Sequence, residues 1–185
     1  LFDHIWYFLL KNEKNKKIKK FINYEVKSGY IYKDLIKKYN VGILTAVVRR
    51  SLLKKSKIYF NNKYNIIGDY DFFIRLSKKH RFEFISEPVA TYRIHENNLS
   101  FLKKEIQIKE FLNWLKKNKK NLSSDEYLSI KNRIYHLKFV NIKLTKSFFN
   151  TLYYFIKFSQ QIFTLKNILI LFLPTYVLKK IMWFS

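Results

Sequence analysis

Cysteine is absent from the 185 residues. With no thiol there is no disulfide framework, no thiolate site and no zinc finger, and a reducing compartment suits the chain as well as any other. Acidic residues are scarce: 13 Asp and Glu stand against 37 Lys and Arg, a formal net charge of +24. Such a field attracts polyanions. Nucleic acid, an anionic bilayer surface and a phosphorylated substrate or lipid carrier all answer to it, and charge alone does not choose among them. A second cause has no functional content, because Lys, Asn, Ile, Phe and Tyr, in which the chain is rich, are the residues of A/T-rich codons. No secretory signal is visible, since Leu1 to Leu10 lacks a preceding basic segment and a small-residue cleavage site. No initiator Met stands at position 1, so the sequence reads as a fragment. Long apolar runs are missing too: Ile168 to Leu178 is interrupted by Pro174 and falls short of the roughly 20 residues that span a bilayer.

What is present is apolar and aromatic. Hydrophobic residues make up 48% of the chain and aromatics 19%, with 18 Phe and 14 Tyr, enough burial to offset chain entropy and to exclude a disordered chain. The length suits one domain plus a helical appendage. Residues 1 to 26 alternate apolar and charged stretches and predict a strand, a polar loop and a second strand. Ile31, Leu35 and Ile36 recur at helical spacing, and Asn40 and Gly42 end that short helix. Ile43 to Val48 predicts a buried strand feeding a helix through Arg49, Arg50 and Ser51. The polar loop Asn61 to Asn65 precedes Ile66-Ile67-Gly68-Asp69, and Asp71 to Lys79 is amphipathic. Phe82 to Ile85 and Val89 to Ile94 predict two strands separated by Ser86-Glu87-Pro88, because proline fits a strand start or edge. Beyond Ser100 the spacing is helical nearly to residue 165, with Phe111, Trp114 and Leu115 on one stripe and a helix start at Ser123-Ser124-Asp125-Glu126. Two regions follow, 1–100 and 101–185. For the tail two readings stand side by side: an interfacial helix with a basic rim of Lys166, Lys179 and Lys180, or an ordinary packing helix.

Chemistry concentrates at Gly68-Asp69-Tyr70-Asp71, where a segment ending in Gly-Asp opens a helix and sets carboxylates at the mouth of a sheet. Transfer of a sugar to a hydroxyl needs a carboxylate to take the acceptor's proton and cationic help for the leaving diphosphate. Asp69 is the candidate base, and Arg93 or His95 would face the diphosphate or a metal if the strands return beneath the helix start. A plainer account is also open. Either aspartate can serve the helix N-terminus, and Asp71 with Arg75 makes an i,i+4 surface ion pair.

The run from Asn40 to Ser100 resembles the C-terminal half of the catalytic domain of family-2 glycosyltransferases. It carries a strand ending in paired arginines, Gly68-Asp69-Tyr70-Asp71 with Arg75 four residues on, Glu87-Pro88, and then Tyr92-Arg93-Ile94-His95 with a later Ser. The resemblance implies a partial GT-A (Rossmann-like) α/β sheet with flanking helices, followed by a helical C-terminal region. It implies a nucleotide-sugar donor, a divalent metal (Mg or Mn), inversion at the anomeric carbon, and work in bacterial cell-envelope polysaccharide synthesis. Asp69 matches the family's base, and Gly68 stands where many relatives carry Glu. Asp71 matches the second Asp of the motif, a structural or substrate-side residue. Arg93 and His95 match the segment with a phosphate or metal role, and Thr45, Arg49 and Arg50 match the preceding strand, as acceptor-side lining or packing. The nucleotide-binding strands and the Asp-x-Asp metal motif are not found before Asn40, so the chain alone is expected to lack donor binding and activity.

The expected acceptor is a glycan or a lipid-linked hydroxyl, met by a peripheral enzyme at the cytoplasmic face of the cell membrane, with an anionic membrane surface as partner and no specific nucleic acid. Two other classes remain: a basic nucleic-acid-binding module, favoured by interleaved Tyr, Phe and Lys but supported by no motif, and a noncatalytic membrane-surface adaptor.

Overall fold

A computed structural model of the chain describes residues 4–14, 17–20, 27–93, 98 and 102–182. It divides into two compact units, Leu1–Glu96 and Asn97–Ser185. The first mixes strands and helices and the second is helical, so the broad class is α/β with a helical C-terminal region.

One strand organises the sheet of the first unit. β1, His4–Lys14, runs parallel to β4, Arg81–Arg93, in a ladder that extends from His4↔Arg81 to Glu13↔Arg93. That ladder takes one edge of β1, so its two antiparallel partners share the other. β3, Ala46–Val48, pairs with Ile5 to Tyr7, and β2, Lys17–Lys20, pairs with Lys11 to Lys14. β1 contains the first strand expected but runs on into the charged stretch Lys11 to Lys20, expected as a polar loop, and β2 lies within that stretch; the second strand expected after it falls at 21–26, outside the described residues. Because the sheet has a single parallel pair flanked by antiparallel strands, the described residues contain no Rossmann-like array of parallel strands.

β4 corrects a second expectation. The two strands predicted on either side of Ser86-Glu87-Pro88 are one strand whose register slips there: Phe8↔Ile85 is followed by Leu9↔Pro88 and then Leu10↔Ala90. The surplus residues bulge instead of breaking the strand, and Pro88, which has no N–H to give a ladder, falls in the irregular stretch.

α1, Tyr32–Lys37, buries Leu35 and Ile36 as their spacing predicts. The segment after it turns before it extends. Thr45 donates both its backbone N–H and its hydroxyl to the Gly42 carbonyl, at 3.1 and 3.2 Å, and this curls Ile43–Thr45 into a 3-10 turn. Only Ala46–Val48 is strand, and Ile43, Leu44 and Val47 are exposed, so the buried strand predicted from 43 to 48 is shorter and wetter than expected. α2, Arg50–Ser56, follows.

α3, Gly68–Ser77, is the centre of this unit. Tyr70, Phe72, Phe73, Ile74 and Leu76 are all buried, so the helix is covered on most sides instead of presenting one apolar stripe. Phe72 stacks on Phe60 with centroids 4.1 Å apart, and Phe73 meets Phe82 of β4 edge-on at 6.4 Å. Each such burial stabilises the fold by about 1.5–3 kcal/mol. Gly29 ties the chain before α1 to β4 by exchanging two backbone hydrogen bonds with Phe82, of 2.7 and 2.8 Å. It does so at φ 108, a conformation that favours glycine.

The second unit comprises α4 (Lys104–Asn118), α5 (Ser124–Thr145), α6 (Phe148–Lys157), the single turn α7 (Ser159–Ile162), α8 (Leu165–Phe172) and α9 (Thr175–Met182). α4 buries Phe111, Trp114 and Leu115, the predicted stripe. α5 opens with the predicted capping box, in which Ser123 Oγ accepts from the Glu126 amide and Glu126 Oε2 accepts from the Ser123 amide. Two further caps divide the remaining helical pattern: Ser147 Oγ accepts from the Asn150 amide and Thr164 Oγ1 from the Asn167 amide. Phe139, Val140, Phe155, Ile162, Ile170, Leu171 and Leu178 form the core beneath α5 to α9.

Candidate active site at the start of the third helix

The first amides of a helix have no carbonyl partner of their own, so its opening turn favours an acceptor. Asp69 is the second residue of α3, and its Oδ1 accepts from the Tyr70 amide at 2.8 Å. Oδ2 accepts from the hydroxyl of Tyr39 at 3.3 Å, reached from the chain just past α1. The Tyr39 and Tyr70 rings meet edge-on at 5.3 Å, which steadies the phenol that holds the carboxylate. Burial pushes the Asp69 carboxyl above its ordinary 3.8, against the opposing pull of the Tyr70 amide, the Tyr39 hydroxyl and its own amide. A carboxylate lifted toward working pH is a better proton acceptor than an ordinary aspartate. The side chain is half-buried, neither sealed in the core nor fully in water.

Asp71 has a different task. It is buried, and its Oδ2 accepts from Arg75 Nε at 2.9 Å and Nη2 at 2.8 Å, while the same Nη2 donates to the Tyr59 carbonyl at 2.6 Å. The i,i+4 pair read as a surface contact is therefore a buried carboxylate clamped by a partly exposed arginine, which also ties α3 to the segment before it. Gly68 needs no special backbone, and a Cβ placed on it would meet nothing within 4 Å. Thr45 is buried and its hydroxyl is bonded to the Gly42 carbonyl, and Arg49 and Arg50 are exposed.

The backbone of Arg93 stands at the far end of the ladder from the level where β4 meets α3. Phe82, which touches Phe73, pairs with Ile5, whereas Arg93 pairs with Glu13 near the far end of β1. Strand spacing puts roughly 25 Å between those levels, and Asp69 lies only about 6 Å along the helix axis from Phe73. His95 lies outside the described residues.

No protein-family model, curated protein or solved structure matches the chain. The geometry of the site therefore stands by itself. Among the described residues no group of three or more His, Asp or Glu side chains could hold a metal ion, and the resemblance places the expected Asp-x-Asp ahead of Asn40, outside the matching run.

Tyr39 is the site residue that sequence reasoning missed. It stands 30 positions from Asp69, and no local pattern announces a contact at that separation. The buried Oδ1 of its neighbour Asn40, which has no hydrogen-bond donor, went unnoticed for the same reason.

Proposed function

We propose that the chain is the acceptor-side part of an inverting glycosyltransferase, in which Asp69 takes the proton of the acceptor hydroxyl. The new bond forms between that oxygen and the anomeric carbon of a nucleotide sugar as the bond to the diphosphate breaks, and the proton passes to an Asp69 oxygen. The nucleotide and the divalent metal that would neutralise its diphosphate belong to a part of the enzyme outside this chain. The acceptor is a glycan or lipid-linked hydroxyl, and the enzyme is peripheral at the cytoplasmic face of the membrane.

What carries the reading is the Asp69 carboxylate, oriented from two sides by Tyr39 and the Tyr70 amide, half-buried, and made more basic by burial. Asp71 and Arg75 position it by fixing the first turns of α3.

In the full-length enzyme, Asp69→Asn keeps nucleotide-sugar binding and lowers turnover by about 10²–10⁴-fold. Turnover within a few-fold of the parent removes Asp69 from the mechanism. Tyr39→Phe takes away a hydrogen bond that lowers the Asp69 pKa, so the acid limb of the rate profile moves to higher pH. A Tyr39→Phe profile that overlays the parent's denies Tyr39 its share in tuning the base.

A further inference from the structure

The tail is open to two readings from its sequence, packing helix or interfacial helix, and α8 divides them between its faces. Ile170 and Leu171 enter the core with Leu178 of α9, while Leu165, Leu169 and Phe172, spaced i, i+4, i+7, are each more than half exposed. α6 repeats the arrangement. Thr151 and Phe155 are buried, and Phe149, Tyr153 and Ile156 stand outward at the same spacing. The two stripes adjoin, because the rings of Phe148 at the start of α6 and Phe172 at the end of α8 meet at 6.4 Å. Single exposed apolar side chains are ordinary on a protein surface, but two adjoining stripes of them are a patch.

The charge around the patch says what covers it. From Tyr127 to Ser185 the sequence contains no Asp or Glu, while Lys and Arg recur throughout. Lys146, Lys157, Lys166 and Lys179 are exposed, and Lys157 holds its ammonium 5.5 Å from the centroid of the Tyr153 ring. An apolar, aromatic surface rimmed by flexible cations with no anion among them fits hydrocarbon below and phosphate above. A second copy of the chain would set the same acid-free surface against itself.

We propose that the outward face of α6 and α8 docks against an anionic bilayer surface, with Phe149, Tyr153, Ile156, Leu165, Leu169 and Phe172 in the acyl boundary and the lysines at the phosphates. The helices lie along the surface. Among the described residues no helix is long and apolar enough to cross a membrane. This face deepens the peripheral location given above and does not rest on the chemistry assigned to Asp69.

The 185-residue chain is floated with phosphatidylcholine–phosphatidylglycerol vesicles and with pure phosphatidylcholine vesicles at physiological salt. It binds the anionic vesicles, and the triple variant Phe149→Ser, Leu169→Ser, Phe172→Ser binds them roughly tenfold or more weakly. Its thermal melt is unchanged, since all three side chains stand outside the core. Leu128→Ser, at a half-exposed leucine of α5, serves as control and binds like the parent. Should the triple variant fail to fold, a nitroxide decides. With no native cysteine, Leu169→Cys takes a single label, which becomes accessible to oxygen and shielded from water-soluble nickel on anionic vesicles.

A triple variant that floats as well as the parent overturns the proposal, because charge alone then attaches the chain. So does a parent that ignores anionic vesicles, or a Leu169→Cys label that stays in water on bound protein. A label immobilised without lipid as protein concentration rises assigns the face to self-association and equally refutes the bilayer.

Discussion

Arg75→Ala is the sharpest test of how α3 is held. In the structure Arg75 makes three hydrogen bonds, two to Asp71 Oδ2 and one to the Tyr59 carbonyl. The Asp71 side chain is 6% exposed and that of Arg75 34%. Truncating the arginine strips a buried carboxylate of its charged partner, a change that costs about 3–5 kcal/mol when both groups are buried. Water reaches the arginine side, so the lower end, about 3 kcal/mol, applies. Native-state hydrogen exchange at the amides of Phe73 to Ser77 reads this locally, and protection falls about 100-fold. Arg75→Lys keeps the charge but loses the two-pronged grip and lands between parent and Ala. A loss under about 1 kcal/mol, the worth of an exposed ion pair, would show that Asp71 is not buried as described and would remove the clamp beneath Asp69.

Asp69→Asn is expected to raise stability at neutral pH. A carboxyl whose folded pKa lies above its unfolded value favours the fold below the ordinary 3.8 and loses that contribution as pH rises through the raised value. The melting temperature of the variant therefore exceeds the parent's at pH 7, the gap narrows toward pH 4, and a variant less stable at pH 7 contradicts the burial of Asp69. Gly29→Ala costs about 1–2 kcal/mol, since the added Cβ meets no neighbour and the whole penalty is the backbone at φ 108; urea unfolding checks it. In the second unit, Asn167 Nδ2 donates to the Ile162 carbonyl, so its Oδ1 faces His136 and Nδ1 of that ring carries the proton. Asn167→Ala leaves both groups unpaired and costs about 2–4 kcal/mol. The His136 pKa, already lowered by burial and by Lys166, falls further once the Asn167 bond that raises it is gone. A proton titration of the ring reads that shift, and an unmoved midpoint denies the contact.

The parts of the fold that sequence made legible are those written in local chemistry. Ser123 and Glu126 are three residues apart, and their reciprocal bonds need nothing else to form, so the start of α5 could be placed. The spacing of Ile31, Leu35 and Ile36 worked for the same reason. Long-range choices stayed hidden. That β4 pairs in parallel with β1, and absorbs its surplus residues in a bulge at Pro88, depends on a partner more than 60 residues away. The i,i+4 spacing of Asp71 and Arg75 was visible, but their burial was not, since it comes from Phe60, Tyr59 and the rest of the unit closing over α3. The candidate site divides likewise: Asp69 at a helix start was legible, and Tyr39 was not.

Whether Asp69 is more than a helix-terminus residue turns on what each role does to its carboxyl. It does serve the helix end, since one oxygen satisfies the Tyr70 amide. An aspartate placed only for that purpose sits in water, where the amide bond and the positive end of the helix favour ionisation and hold the pKa below 3.8. Asp69 has those downward influences and a tyrosine hydroxyl besides, and burial still outweighs them. Ser or Asn could accept the same amide without a buried charge. A function that needs a basic, oriented carboxylate at the edge of the core would account for the extra cost, and the proton abstraction proposed above is one that uses all three properties.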